Sequence, residues 1–206
     1  MCIRDREGGR PEFESYRYEL WKILLDNNKE FDYIGSMCDE VSYPEHSGES
    51  FDGNHEGRGG YTSGQILSGI NDWLEESSTP DIVLLSSPGG NDALQGLSYN
   101  QAVDNINAII DILQTANPEV TIIIEQLVPA ISSEMTADLT TFFNQMQADV
   151  VTIATEQTTG TSQVLTVDMA TGFNDSFFAD EVHYNEAGAI FVAERYYAVL
   201  ENVMQE

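Results

Sequence analysis

Apolar and polar positions along the 206-residue chain alternate between two periods, 3.6 and near-continuous runs, and that alternation predicts helices and buried strands in turn. Tyr16, Leu20, Ile23 and Leu24 fall at helical spacing, so Ser15 to Asn28 reads as a helix with Ser15 at its cap. Phe31 to Ser36 reads as a short strand, followed by a polar, Gly-rich segment from Met37 to Gly60. A loop of that length in a compact domain is functional or mobile. Thr62 or Ser63 caps a helix whose Ile66, Leu67, Ile70, Trp73 and Leu74 share one face and which ends before Pro80. Asp81 to Ser86 and Val120 to Glu125 are apolar runs of the kind buried on both faces of a parallel sheet. Between them, Ala102, Val103, Ile106, Ile109, Ile110 and Leu113 predict a helix over Tyr99 to Ala116. Ser133 to Thr158 reads as one long helix or a broken pair, Gln163 to Asp168 as a strand, and Asn185 to Met204 as a final helix.

Strands alternating with helices imply an α/β fold of three layers, because parallel strands need crossovers that cover both sheet faces. Sites in such sheets lie outside the C-terminal strand ends. Near the last of these ends, Asp180 precedes His183 by three residues at a helix mouth. A histidine acting as general base needs a carboxylate to fix its tautomer, and these two residues can form that pair. After the Asp81–Ser86 strand, Asn91 in Ser87-Pro88-Gly89-Gly90-Asn91-Asp92 offers an amide N–H pair. Gly60, just before the Thr62 helix, offers an unobstructed backbone N–H where negative charge is favoured. Each alone reads more simply as a Gly-rich turn or a capping residue; together, and with Asp180 and His183, they can make an oxyanion hole.

Charge narrows the partners. The formal net charge is −27, and Lys22 and Lys29 are the only lysines. Nucleic acid and anionic membranes are disfavoured as partners, since binding phosphates requires cations that are scarce in this chain. Acidic residues run along the whole chain, which predicts a solvated acidic surface suited to high salt. Cys2 and Cys38 are too few for a disulfide scaffold, and no apolar run has the length of a membrane span. His46, Asp52, His55 and Glu56 could be considered as metal ligands, but their spacing is irregular. They read as structural or cleft-lining residues.

Several blocks in order resemble the SGNH hydrolase superfamily of GDSL-type esterases and lipases, and most closely its small carbohydrate esterases, which include acetyl xylan esterases. They are Tyr16-Arg17 with Leu20-Trp21, Asp32 to Ser36, His55 to Thr62, Pro80 to Leu85, Gly90-Asn91-Asp92, Val167-Asp168-Met169, and Asp180 to Asn185 with Gly188. The resemblance implies a flavodoxin-like parallel sheet of order 2-1-3-4-5. It also implies His183 as general base, Asp180 as the group orienting it, Gly60 and Asn91 as oxyanion donors, and no metal or organic cofactor. The substrate implied is a small acyl ester, most simply an acetyl group on a carbohydrate.

One block departs from the pattern. Family members begin with a strand ending in Gly-Asp-Ser, whose serine is the nucleophile. Counting back from Glu7-Gly8, that serine falls near position 4, where the chain has Arg4. No Gly-x-Ser-x-Gly elbow offers a substitute, and Ser63, Ser86 and Ser87 read as capping or strand-end hydroxyls. Met1 to Arg6 match the translation of a transposon-adaptor end, so residues 1–6 read as non-native and residues 7–206 as a single domain lacking its native start. The expectation for the chain as written is low stability and no esterase activity. Two alternatives stay open: a non-catalytic carbohydrate- or acyl-binding protein, and an acyltransferase in which an alcohol replaces water. Oligomeric state is not legible, and location stays open, with a secreted or periplasmic one compatible.

Overall fold

The computed structural model describes residues 15–39 and 43–204 of the chain, so Arg4 and the adaptor-like residues lie outside the described residues. In chain order the elements are α1 (Tyr16–Asp26), β1 (Met37–Cys38), β2 (Asn54–His55), α2 (Ser63–Glu76), β3 (Ile82–Leu85) and α3 (Gly90–Leu94). They continue with α4 (Tyr99–Ala116), β4 (Thr121–Gln126), α5 (Ala137–Gln157), β5 (Gln163–Asp168) and α6 (Glu186–Val203). A 3-10 turn at Asp175–Phe177 lies between β5 and α6.

β3, β4 and β5 form a parallel sheet in that order, Ile82 facing Thr121 and Thr121 facing Gln163. The two-residue period of β4 sorts its side chains onto two cores. Ile122 and Ile124 point toward α2, α4 and α5, where Ile70, Ile110, Phe143 and Val150 meet them. Ile123 points the other way, toward Leu20 and Tyr16 of α1 and Val192 and Tyr196 of α6. All three isoleucines are fully buried, and each such side chain contributes about 1.5–3 kcal/mol of hydrophobic burial. The result is the expected three-layer α/β/α arrangement. Tyr16 and Tyr196, stacked with centroids 5.4 Å apart, tie α1 to α6.

Several expected ends coincide with observed ones. Thr62 caps α2 in a full capping box with Gln65, and Asn185 caps α6 by accepting from the N–H of Gly188. The long segment before β5 is one helix rather than a pair. Two expectations differ. Ser15 stands at the N-cap of α1, but its side chain makes no capping bond. Phe31 to Ser36 forms no strand. There the carboxylates of the following loop take the backbone donors: Asp52 accepts from Tyr33 N at 2.8 Å and Glu56 from Ser36 N at 2.7 Å.

The long polar segment is anchored rather than loose. Arg17, almost wholly buried, donates to both carboxylate oxygens of Asp39 at 2.8 and 2.9 Å. Tyr43 and Phe51 pack on Tyr18 with centroids 4.4 and 5.3 Å away. Between them the chain reverses through Ser47 and Gly48, both at positive φ, with His46 and Glu49 exchanging backbone hydrogen bonds.

Candidate active site

The chain between β5 and α6 folds into a closed loop that fixes one histidine. Phe178 and Tyr184 form an antiparallel bridge, and Ala179 N–H donates to His183 O at 2.8 Å. Asn185 closes the loop by donating through Nδ2 to the carbonyls of Ser176 and Phe178. Within it, Asp180 Oδ1 accepts from the backbone N–H groups of Val182 and His183 at 2.9 and 2.8 Å, while Oδ2 meets His183 Nδ1 at 2.7 Å. Partial burial pushes the Asp180 carboxyl up. The Val182 and His183 N–H bonds, the ring bond and the neighbouring imidazole outweigh it and hold the group below the ordinary carboxylate range. An ionised Asp180 places the imidazole proton on Nδ1, leaving Nε2 as the basic ring nitrogen. Asp180 and His183 are therefore brought together as expected.

Gly60 and Asn91 are also brought together, at the end of β3. Gly60 adopts a φ of +79°, a backbone that disfavours any side chain, and it stands exposed just ahead of α2. Asn91 donates through Nδ2 to Tyr61 O at 2.9 Å, and Gln95 reaches Gly60 O at 3.3 Å. Using one amide hydrogen on Tyr61 fixes the plane of the Asn91 amide and leaves its second hydrogen for a ligand. A buried tie lies beneath. Asp92, 2% exposed, accepts from Ser63 N at 2.9 Å and Ser63 Oγ at 2.7 Å. α3 and the start of α2 thus form one unit that carries both candidate donors. The two pairs stand at the C-terminal ends of β3 and β5, the strands on either side of β4.

Glu125 is a site-supporting residue that periodicity does not single out. It is 1% exposed at the end of β4, accepts from Ser87 N at 2.5 Å, and accepts from the Tyr196 hydroxyl of α6 at 2.7 Å. It holds the β3 loop, where Ser87 has a left-handed φ of 46°, against the helix that follows the His183 loop. The available signal was a lone acid closing the run Ile122-Ile123-Ile124.

The other serines and the considered metal ligands have local roles. Ser63 Oγ donates to Asp92 and accepts from Asn105 Nδ2 at 3.0 Å, and Ser63, Ser86 and Ser87 are all buried. His46 pairs with Asp26, His55 Nδ1 accepts from Gly57 N, and Glu56 binds Ser36 and Arg58. No group of three or more His, Cys, Asp or Glu among the described residues is arranged to hold a metal ion. No helix among them is long and apolar enough to cross a membrane.

Comparison with known proteins adds a family and a set of folds. The GDSL-like lipase/acylhydrolase family matches residues 40–189. A family 3 carbohydrate esterase of Clostridium thermocellum is 25% identical, with 100% of this chain and 98% of that chain covered and a TM-score of 0.78. A family 3 carbohydrate esterase of Talaromyces cellulolyticus is 24% identical over 99% of this chain and 96% of that chain, with a TM-score of 0.83. An acetyl xylan esterase is 16% identical over 97% and 98%, with a TM-score of 0.68. No curated protein matches the sequence.

Proposed function

The chain belongs to the GDSL-like lipase/acylhydrolase family and is by family a carboxylic ester hydrolase, and from that premise we propose a serine esterase of SGNH type that removes small acyl groups, chiefly acetyl, from carbohydrates. The observation that carries the reading is the 2.7 Å bond between Asp180 and His183 Nδ1 on the segment after β5, in the sheet whose β3 is followed by Asn91. In this mechanism a serine hydroxyl attacks the ester carbonyl while His183 takes its proton through Nε2. Asp180 stabilises the imidazolium, and Gly60 N–H, the Asn91 amide and the serine N–H hold the oxyanion. His183 then returns the proton to the departing alcohol. Water, activated the same way, frees the acid from the serine. The acetyl and carbohydrate preferences draw on the three structures above, whose names are those of carbohydrate and acetyl xylan esterases.

The chain as written carries Arg4 where the family pattern has its serine. We therefore expect no hydrolysis of an aryl acetate by this chain, and hydrolysis once residues 1–6 are replaced by a Gly-Asp-Ser strand. That gain should vanish with His183→Ala. Hydrolysis by the unaltered chain that is lost on His183→Ala would overturn the assignment of the nucleophile; no hydrolysis after replacement, in a folded protein, would overturn the esterase reading.

A further inference from the structure

A cleft of about 600 Å³ opens beside the His183 loop, between the segment after β4, helix α5 and the 3-10 turn. It is far larger than an acetyl group requires and falls in the size range of ligand sites. Its walls differ in chemistry. Phe173 and Phe178, ring centroids 5.1 Å apart and both half-buried, give an apolar surface. Ser132, Asn144, Asn174 and Asp175 give a neutral and acidic polar one. No Lys or Arg is among the described lining residues, so there is no cation to hold a phosphate or carboxylate. The polar groups would also be stripped of water without replacement by a long acyl chain.

Hydrogen-bonding capacity in the cleft is only partly used internally. Asp175 Oδ1 accepts from both Ser132 N and Ser132 Oγ, at 3.0 and 2.9 Å, which ties the two walls together and leaves Oδ2 to accept from a hydroxyl. Asn174 Oδ1 accepts from Ser176, leaving its amide hydrogens. The exposed Asn144 on α5 makes no side-chain bond among the described residues. Donors and acceptors of this kind beside aromatic rings match a sugar, which presents hydroxyls at its edge and C–H groups on its faces.

The cleft is also joined to the histidine loop. Ile131 N–H donates to Glu181 O at 2.9 Å, joining its wall to the loop of Asp180 and His183, and Phe178 is bridged to Tyr184 across that loop. The alcohol half of an ester must sit on the side of the histidine that reprotonates it. We propose that this cleft is the leaving-group subsite and binds a neutral oligosaccharide, with the sugar faces on Phe173 and Phe178 and its hydroxyls on Asn144, Asn174 and Asp175. The proposal rests on the esterase reading for the cleft's role, and not for the binding itself.

Titrating xylotriose into the full chain by calorimetry and by NMR tests it without catalysis. Millimolar binding is expected, weakened about tenfold by Asn144→Trp, the effect of losing one or two hydrogen bonds and blocking space. Asn71→Trp, in a separate cleft between α2 and α4, should leave it unchanged. Absence of binding, or binding indifferent to Asn144→Trp, overturns the subsite. An aryl acetate assay on the serine-bearing form judges the esterase reading separately. Sugar binding without hydrolysis retains the sugar site and discards its leaving-group role together with that reading. A medium-chain ester preference that Asn144→Trp abolishes would instead make the cleft an acyl site and overturn the proposal.

Discussion

Replacing Asp92 by alanine should loosen the unit that carries both candidate oxyanion donors, and its cost can be worked from two bonds. The carboxylate is 2% exposed and accepts from Ser63 N at 2.9 Å and Ser63 Oγ at 2.7 Å. Hydrogen bonds to a charged group are worth about 1.5–3 kcal/mol each. Part of that gain is offset by the desolvation of a buried carboxylate, which alanine avoids. Alanine also strands the Ser63 N–H, whereas the Ser63 hydroxyl keeps its bond from Asn105 at 3.0 Å. The balance is a loss of about 3 kcal/mol, a large part of a domain's 5–15 kcal/mol. With a urea dependence of about 2 kcal/mol per molar, the unfolding midpoint should fall by about 1.5 M. Ser63→Ala on its own should cost less, and the double mutant should show a coupling of about 1–2 kcal/mol. In a serine-bearing form, Asp92→Ala should lower kcat by about tenfold or more while KM changes little, as expected for an interaction made only in the transition state. A loss below about 1 kcal/mol with no coupling would refute the reasoning, because it would mean that α3 is held to α2 by packing alone.

Three further outcomes follow from local geometry. In the serine-bearing form, Asp180→Asn should lower kcat about 10²–10⁴-fold, since an amide donor facing His183 Nδ1 selects the wrong tautomer; a loss under threefold in aryl acetate turnover would discard the orienting role. Thr62→Ala removes one half of the α2 capping box and should destabilise the protein by about 1 kcal/mol in thermal or urea unfolding. The Asp168 carboxyl is pushed up by burial but held below the ordinary range overall by Thr171, Ala170 and Arg195. A depressed carboxyl contributes stability above its unfolded pKa of about 3.9 and loses it as pH falls through the lower folded value. The stability gap between the unsubstituted chain and Asp168→Asn should therefore be constant from neutral pH to about pH 4 and close below it; a gap that closes near pH 6 would contradict the assignment.

What could be read in advance was what is local. The bounds of α4 and β5, the Thr62 cap and the Asp180–His183 pair depend on residues a few positions apart, where periodicity and hydrogen-bond reach act directly. Asp92 with Ser63, and Glu125 with Ser87 and Tyr196, join positions 29, 38 and 71 apart in the chain. Only the folded sheet brings these groups together. Phe31 to Ser36 shows the limit from the other side. Its residues suit a strand, yet strand formation depends on where the backbone donors go, and Asp52 and Glu56 claim two of them. The long loop read from its length and composition as functional or mobile; its aromatic residues Tyr43 and Phe51 are held in a cluster on α1 that no spacing rule announces.

Charge supplies a last constraint on the substrate. The net charge is −27, and each described cation is engaged by a carboxylate, a carbonyl or an aromatic ring. Arg17 is held by Asp39, Arg58 by Glu56 and the Trp73 ring, Arg195 by the carbonyls of Asp168 and Thr171, Lys22 by Glu19 and Lys29 by the Met204 carbonyl. An ester bearing a carboxylate or phosphate therefore approaches an uncompensated negative field, while a neutral sugar acetate feels none. In the serine-bearing form, kcat/KM for a neutral aryl acetate should change little between low and high salt. The value for an otherwise similar ester carrying a carboxylate should rise by about tenfold as the Debye length shrinks from about 30 Å at 0.01 M to 3 Å at 1 M. The same screening should raise the thermal midpoint of the protein itself, because it relieves repulsion among its own acidic side chains. Comparing the two substrates at each salt concentration separates these effects: a stability gain moves both rates together, and field relief moves only the anionic one. Equal salt dependence for both would show that the acidic surface has no part in selecting the substrate.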